Sequence, residues 1–350
     1  MLCDMREKTI ERYKKLYAAE GGGHLLVKTA FPLSGVTADF AIGYVPFGEY
    51  DLTTDEGLRK YFDAVAEKVL EETVCHCEVD DDWIPELFVH LGSGVVETFI
   101  RNAELRIVDD TSWSLPSAPF EPGEDPGVSP WVERIQLLCV YLCEKYEGRF
   151  DVCANFHYSP LDALNYLRGS EAFLEMHTEP DMTRELLEFS VRRTLELKNR
   201  FSTGGHSIWN IWFPEKDGLL IQEDSATLVS PADYLEFGKG YTERLFSDSY
   251  GMVHTHMLGI HQFENISSIK NLSMLNISSD PNCKRPADAV GDILEAVKNR
   301  IPVYFDMSAE ELFNKIEELK MLNAVLWVYC SDKDEASKVT EFVRKHSRIT

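Results

Sequence analysis

Runs of positive charge are missing from this chain. Over 350 residues, Lys+Arg 35 stand against Asp+Glu 59, a formal net charge of −24. A phosphate-binding surface concentrates Lys and Arg, so nucleic acid is excluded as a partner. The basic residues from Arg6 to Lys15 alternate with acids and apolar residues, as on a solvated helix face. Also absent is any apolar stretch near the ~18 residues that a membrane span needs. Met1 to Lys15 is charged throughout and has no apolar centre of the kind a signal peptide carries. The expectation is a cytoplasmic protein without membrane contact, whose acidity serves solubility. In that setting Asn265, Asn271 and Asn276, each opening an N-x-S sequon, carry no glycosylation argument.

The cysteines do not form a dense framework. The eight are Cys3, Cys75, Cys77, Cys139, Cys143, Cys153, Cys283 and Cys330, and in a large unsecreted chain they read as reduced thiols or metal ligands. Cys139 and Cys143 lie four apart on a helical pattern, where two buried small residues are the preferred reading over a ligand pair. No second cysteine pair completes a four-ligand site with Cys75-His76-Cys77, which reads as half-buried thiols near a helix end. No internal repeat and no low-complexity segment occurs.

What is present is alternation. Short β-rich runs, at His24–Ala30, Asp39–Tyr44, Trp83–His90, Phe150–Phe156, Ser207–Trp212 and Leu219–Gln222, precede or separate helical patterns. Others follow at Gly251–His256, Ser273–Ile277, Pro302–Asp306 and Ala324–Tyr329. Helical periodicity marks Glu56–Thr73, Trp131–Tyr146, Leu161–Arg168, Thr183–Lys198, Pro231–Phe246, Ala287–Asn299, Ala309–Lys320 and Glu335–Lys345. Asp109–Pro130, rich in Pro, Ser, Gly and acids, reads as a loop. Strands alternating with helices argue for parallel βαβ units. With no G-x-G-x-x-G after the first strand, a closed (β/α)8 TIM barrel is favoured over an open dinucleotide-binding sheet. The expected organisation is an α/β fold, with 1–80 as an N-terminal extension packed on a barrel formed by 81–350.

In such a barrel the site lies at the C-terminal ends of the strands. His254 and His256 end one of them, and residues two apart on a strand share a face, so both imidazoles can reach one ion. Cys330 ends the last strand and offers a sulfur from across the mouth. Glu223 and Asp224 follow another strand; at most one of them faces the mouth, as ligand or general acid/base. Tyr158 and Tyr166 are pocket candidates, against the plainer reading of packed tyrosines with satisfied hydroxyls.

An ordered set of short segments resembles the uroporphyrinogen decarboxylase superfamily. The set comprises Gln222-Glu-Asp-Ser225 with Ser230-Pro231, Ser159-Pro160 with Leu167-Arg168-Gly169, Glu179-Pro180, the His254 strand, and Trp83-Ile84-Pro85-Glu86 with Gly92. The resemblance spans residues 80–350 and is clearest from 150 to 270. No counterpart exists of the arginine-rich segment that serves substrate carboxylates in true decarboxylases. His254-Thr-His256 and Cys330 instead resemble the ligand set of the superfamily's zinc-dependent corrinoid methyltransferases, with a histidine where that branch has a cysteine. The resemblance implies a zinc-dependent methyltransferase with His254, His256 and Cys330 as metal ligands and Glu223 or Asp224 as a fourth ligand or acid/base. It implies a small-molecule methyl donor or acceptor, a corrinoid partner protein, and room for a homodimer. Two other readings stand beside it: a metal-free decarboxylase using Asp224 and Tyr166 on a small acid, and a non-catalytic ligand-binding barrel.

Overall fold

The computed structural model describes residues 2–32, 45–108, 111–115 and 118–349, with side chains from residue 6 onward. Eight parallel strands form the ring: β1 (Leu25–Ala30), β2 (Glu86–Phe88), β3 (Asp151–Cys153 and Phe156–Tyr158), β4 (Leu219–Gln222), β5 (Gly251–His256), β6 (Leu272–Ser278), β7 (Val303–Ser308) and β8 (Ala324–Tyr329). Hydrogen-bonded order runs β1-β8-β7-β6-β5-β4-β3, and the first half of β3 pairs with β2. The strand proposed at Asp39–Tyr44 lies outside the described residues.

Among the described residues, one seam of the ring has no strand ladder. Between β1 and β2 the carboxylates of Asp81 and Asp82 take the place of a neighbouring strand. Val27 N donates to Asp82 Oδ2 at 2.8 Å and Thr29 N to Asp81 Oδ2 at 2.8 Å, while Asp82 N donates to Val27 O at 2.7 Å. Asp82 is fully buried, which its charge tolerates only because it is paired. Arg12 reaches it at 2.6 Å and Arg344 at 2.7 Å, from the first and last helices. The stretch 1–80 thus contributes β1 to the ring as well as helices outside it.

Local chemistry explains most of the surrounding helices. Three begin with Ser-Pro: Ser129, Ser159 and Ser230 cap them by accepting from Trp131 N, Asp162 N and Asp233 N, with proline at the first helical position. Ser308 and Glu311 form a reciprocal capping box. Differences from the sequence reading have local causes too. Ser207–Trp212 is an antiparallel hairpin of two short strands outside the ring, because Trp209 and Asn210 both adopt positive φ (51° and 58°) and turn the chain back. Part of the expected loop at Asp109–Pro130, Thr111–Ser114, is a strand paired antiparallel with Leu105–Val108. The helix expected over Pro231–Phe246 breaks at Gly238, where a Cβ would meet the Tyr234 ring at 2.4 Å. The main core lies between the ring and its outer helices, and a second apolar cluster joins the helices Asp55–Val79 and Pro130–Lys145.

Candidate metal centre

At the end of β5 the chain alternates as a strand must. Thr255 is fully buried and its hydroxyl donates to Glu223 O, while His254 and His256 share the opposite face. Their rings stand edge to face, centroids 5.1 Å apart. β4 lies alongside with Gln222 opposite His254, which brings Asp224 up to the imidazole pair. Asp224 Oδ1 is 3.9 Å from His254 Nε2 and 3.5 Å from His256 Nε2. One donor atom from each of Asp224, His254 and His256 falls within 4.8 Å of the others, a spacing that suits a single ion.

Each side chain is held from behind. His254 Nδ1 lies 2.5 Å from Asn276 Oδ1. Asn276 Nδ2 donates to Tyr304 O at 3.1 Å, which fixes the amide oxygen toward the histidine. His256 Nδ1 lies 2.9 Å from Asp280 Oδ1, and Asp280 Oδ2 accepts from Leu258 N at 2.8 Å. With oxygen acceptors at both Nδ1 atoms, each ring carries its hydrogen there and turns a bare Nε2 lone pair to the front. Gln222 Nε2 donates to Asp224 Oδ2 at 2.7 Å, whereas Asp224 Oδ1 is buried and has no partner among the described residues. A buried carboxylate oxygen without a donor is costly, and here it faces two imidazole nitrogens. Burial lowers the pKa of His254, with Asp224 pulling the other way, so the neutral, ligating form of that ring is favoured. Two nitrogens and one oxygen with second partners behind them match the donor set of a catalytic zinc site with an open position.

The other candidates lie elsewhere. Cys330 is not brought to this cluster. On β8, Trp327 and Tyr329 line the interior cavity while Val328 and Cys330 alternate to the opposite face. Cys330 Sγ approaches Val328 O at 3.6 Å, and burial pushes its thiol up to about 12, away from the thiolate that a metal needs. One step of strand alternation turns Cys330 away from the mouth, so the residue brought up to the imidazole pair is Asp224 and not this cysteine. Glu223 points behind the sheet and is fully buried; it accepts from Tyr234 Oη at 3.1 Å and Thr242 Oγ1 at 2.8 Å. Burial lifts its carboxyl to about 7. Tyr158 donates to Glu97 Oε1 at 3.2 Å, and Ser114 donates to Glu97 Oε2. Tyr166 Oη is buried with no hydrogen-bond partner among the described residues.

A cavity of about 510 Å³ fills the upper lumen, and His254 lies on its wall. Phe31, Trp83, Phe88, Phe156, Trp209 and Trp327 give it an aromatic lining. Trp209 meets the His254 ring edge to face at 5.5 Å. The hairpin that presents Trp209 is held by Glu86, whose carboxylate accepts from Trp209 N at 3.0 Å and Asn210 N at 2.8 Å. Sequence reasoning missed Asn276, Asp280, Glu86 and Trp209. An asparagine flanked by Leu275 and Ile277 in the middle of a strand was the available signal for Asn276.

Fold and site together define a parallel (β/α)8 barrel with a His-His-Asp cluster at its C-terminal mouth. No protein-family model matches the sequence, and no curated protein matches it either. Among solved structures it is similar to a methyltransferase from Methanosarcina mazei, with a TM-score of 0.62 and 12% identity over 97% of this chain and 98% of that one. It also overlaps a B12-independent methionine synthase from a Shewanella species, solved in complex with selenomethionine, with a TM-score of 0.46 and 14% identity over 83% of this chain and 88% of that one. The first likeness shows a shared fold, the one the superfamily resemblance implied; the second adds nothing to it.

Proposed function

We propose that this chain is a zinc-dependent methyltransferase whose ion is held by Asp224, His254 and His256. The observation that carries the reading is the bare Asp224 Oδ1 facing two imidazoles, each supported at Nδ1. Zinc bound there would supply Lewis acidity that keeps an acceptor thiol ionised near neutral pH. The chain's own residues do the rest. Asn276 and Asp280 hold the ring orientations, and Gln222 holds the carboxylate. The aromatic cavity beside His254 receives the body of the substrate and excludes water from the exchange. A corrinoid protein is the proposed second partner, delivering or taking the methyl group at the open mouth. The metal-free decarboxylase is not pursued, since no hydrogen bond joins Tyr166 to Asp224 among the described residues.

Elemental analysis of the purified protein tests the reading. One equivalent of zinc is expected, lost in His254→Ala and His256→Ala with circular dichroism unchanged. Asn276→Ala should weaken zinc affinity about 10–100-fold. Methyl transfer from methylcobalamin to a thiol should follow zinc content across these variants. A folded wild-type protein that takes up no metal on reconstitution would end the proposal.

A further inference from the structure

Lys28 shares the cavity with His254 but takes no part in the metal cluster. It is the fourth residue of β1 and only 4% exposed. Its Nζ donates to Trp209 O at 2.6 Å and Tyr304 Oη at 3.0 Å. It also lies 5.0 Å and 5.1 Å from the ring centroids of Tyr304 and Trp327. Among the described residues no carboxylate comes within ion-pairing distance of it. A buried ammonium without a counter-ion is expensive, and losing the proton relieves the cost. Burial accordingly brings this amine down to about 8, against weaker upward pulls from Glu86, Asp81 and Glu72. An ammonium has three hydrogens; two are taken by Trp209 and Tyr304, so deprotonation opens a lone pair at the remaining position on a cavity-lining side chain.

We propose that Lys28 is a covalent carbonyl-binding site, where its neutral amine condenses with an aldehyde or ketone to form a Schiff base. The nitrogen lone pair forms the N–C bond while the carbonyl π pair moves to oxygen. The proton lost from nitrogen passes to that oxygen, and the Tyr304 hydroxyl at 3.0 Å is placed to hand it over. The remaining nitrogen proton follows by the same route, the C–O bond breaks so that water leaves, and the nitrogen lone pair closes C=N; no oxidant or reductant is consumed. The carbonyl compound expected is uncharged with an apolar or aromatic body. The cavity walls are aromatic, and the acidic groups on them, Glu72, Glu86 and Asp306, would repel an anion. The inference stands independently of the metal reading.

Reductive trapping tests it on the full chain. The protein is incubated at pH 7 with benzaldehyde and sodium cyanoborohydride, and benzylated lysines are mapped by peptide mass spectrometry. An exposed lysine near its ordinary pKa has far less free amine at this pH. Lys28 should therefore be labelled at least about tenfold faster than any surface lysine. The rate should be unchanged by a chelator, which separates this result from the fate of the metal proposal. Lys28→Arg keeps the cation and should lose one label per chain with the surface labelling unaltered. Glyoxylate, an anionic aldehyde, should label Lys28 more slowly than benzaldehyde. Labelling confined to surface lysines, or Lys28 reacting no faster than they do, would overturn the assignment.

Discussion

Two pairs of adjacent carboxylates sit at two points of the ring, and they have different fates. At the β1–β2 seam, Asp81 and Asp82 are saturated: between them they accept from Val27 N, Thr29 N and Thr29 Oγ1, His76, Arg12 and Arg344. At the β4–β5 mouth each acid keeps one oxygen without a hydrogen-bond partner among the described residues: Glu223 takes its hydroxyl donors on Oε2 alone, and Asp224 Oδ1 stands in front of two imidazoles. Buried acids whose oxygens are all spoken for hold the barrel together. An acid left one donor short marks a place for a ligand only where other donor atoms converge on it, as at Asp224. Acidity and adjacency in sequence do not separate the two cases; the count of partners does.

The sharpest way to break this comparison is at the seam. Asp82→Ala leaves Arg12 and Arg344 facing a buried gap and removes the acceptor for Val27 N, so a loss of about 3–5 kcal/mol is expected. Urea denaturation measures it. A loss under about 1 kcal/mol would mean that the seam is closed by something else.

A smaller effect tests Glu223. Its folded carboxyl lies near 7, above the ordinary value of 4.5, so the folded state favours the protonated form. That contribution is complete below about pH 4.5 and is lost as pH rises through 7. Wild-type stability should fall by on the order of 2–3 kcal/mol across this window relative to Glu223→Gln, whose amide does not ionise. Parallel stability–pH curves for the two proteins would place Glu223 outside this account.

Smallest of all should be Cys330→Ser. With its sulfur turned away from the mouth, the change should cost about 1 kcal/mol or less for a lost buried contact and leave bound zinc unchanged by elemental analysis. Loss of the metal would show that Cys330 swings into the site and that the Asp224 assignment is incomplete.

Much of this was readable in advance. His254 and His256 are two apart on a strand pattern, and that spacing alone puts both imidazoles on one face. Helical periodicity placed the helices that begin near 131, 161 and 231, and alternating patterns announced the ring. Cys330 was misplaced although the strand bounds were right, because the sequence does not say which face of Ala324–Tyr329 lines the lumen, and alternation puts Trp327 and Tyr329 inside and Cys330 outside. The Ser207–Trp212 run was taken for a ring strand because a β-rich stretch shows no sign of turning back when its turn residues, Trp209 and Asn210, are not glycines.

By itself the sequence determined the class of fold and the strand on which the imidazole pair sits, since periodicity is a local property. The tertiary structure alone decided which carboxylate meets that pair, that Asn276 and Asp280 orient it, and that Lys28 lies against Trp209 and Tyr304. Those contacts join residues from different strands and loops, and only closure of the ring brings them within hydrogen-bonding distance.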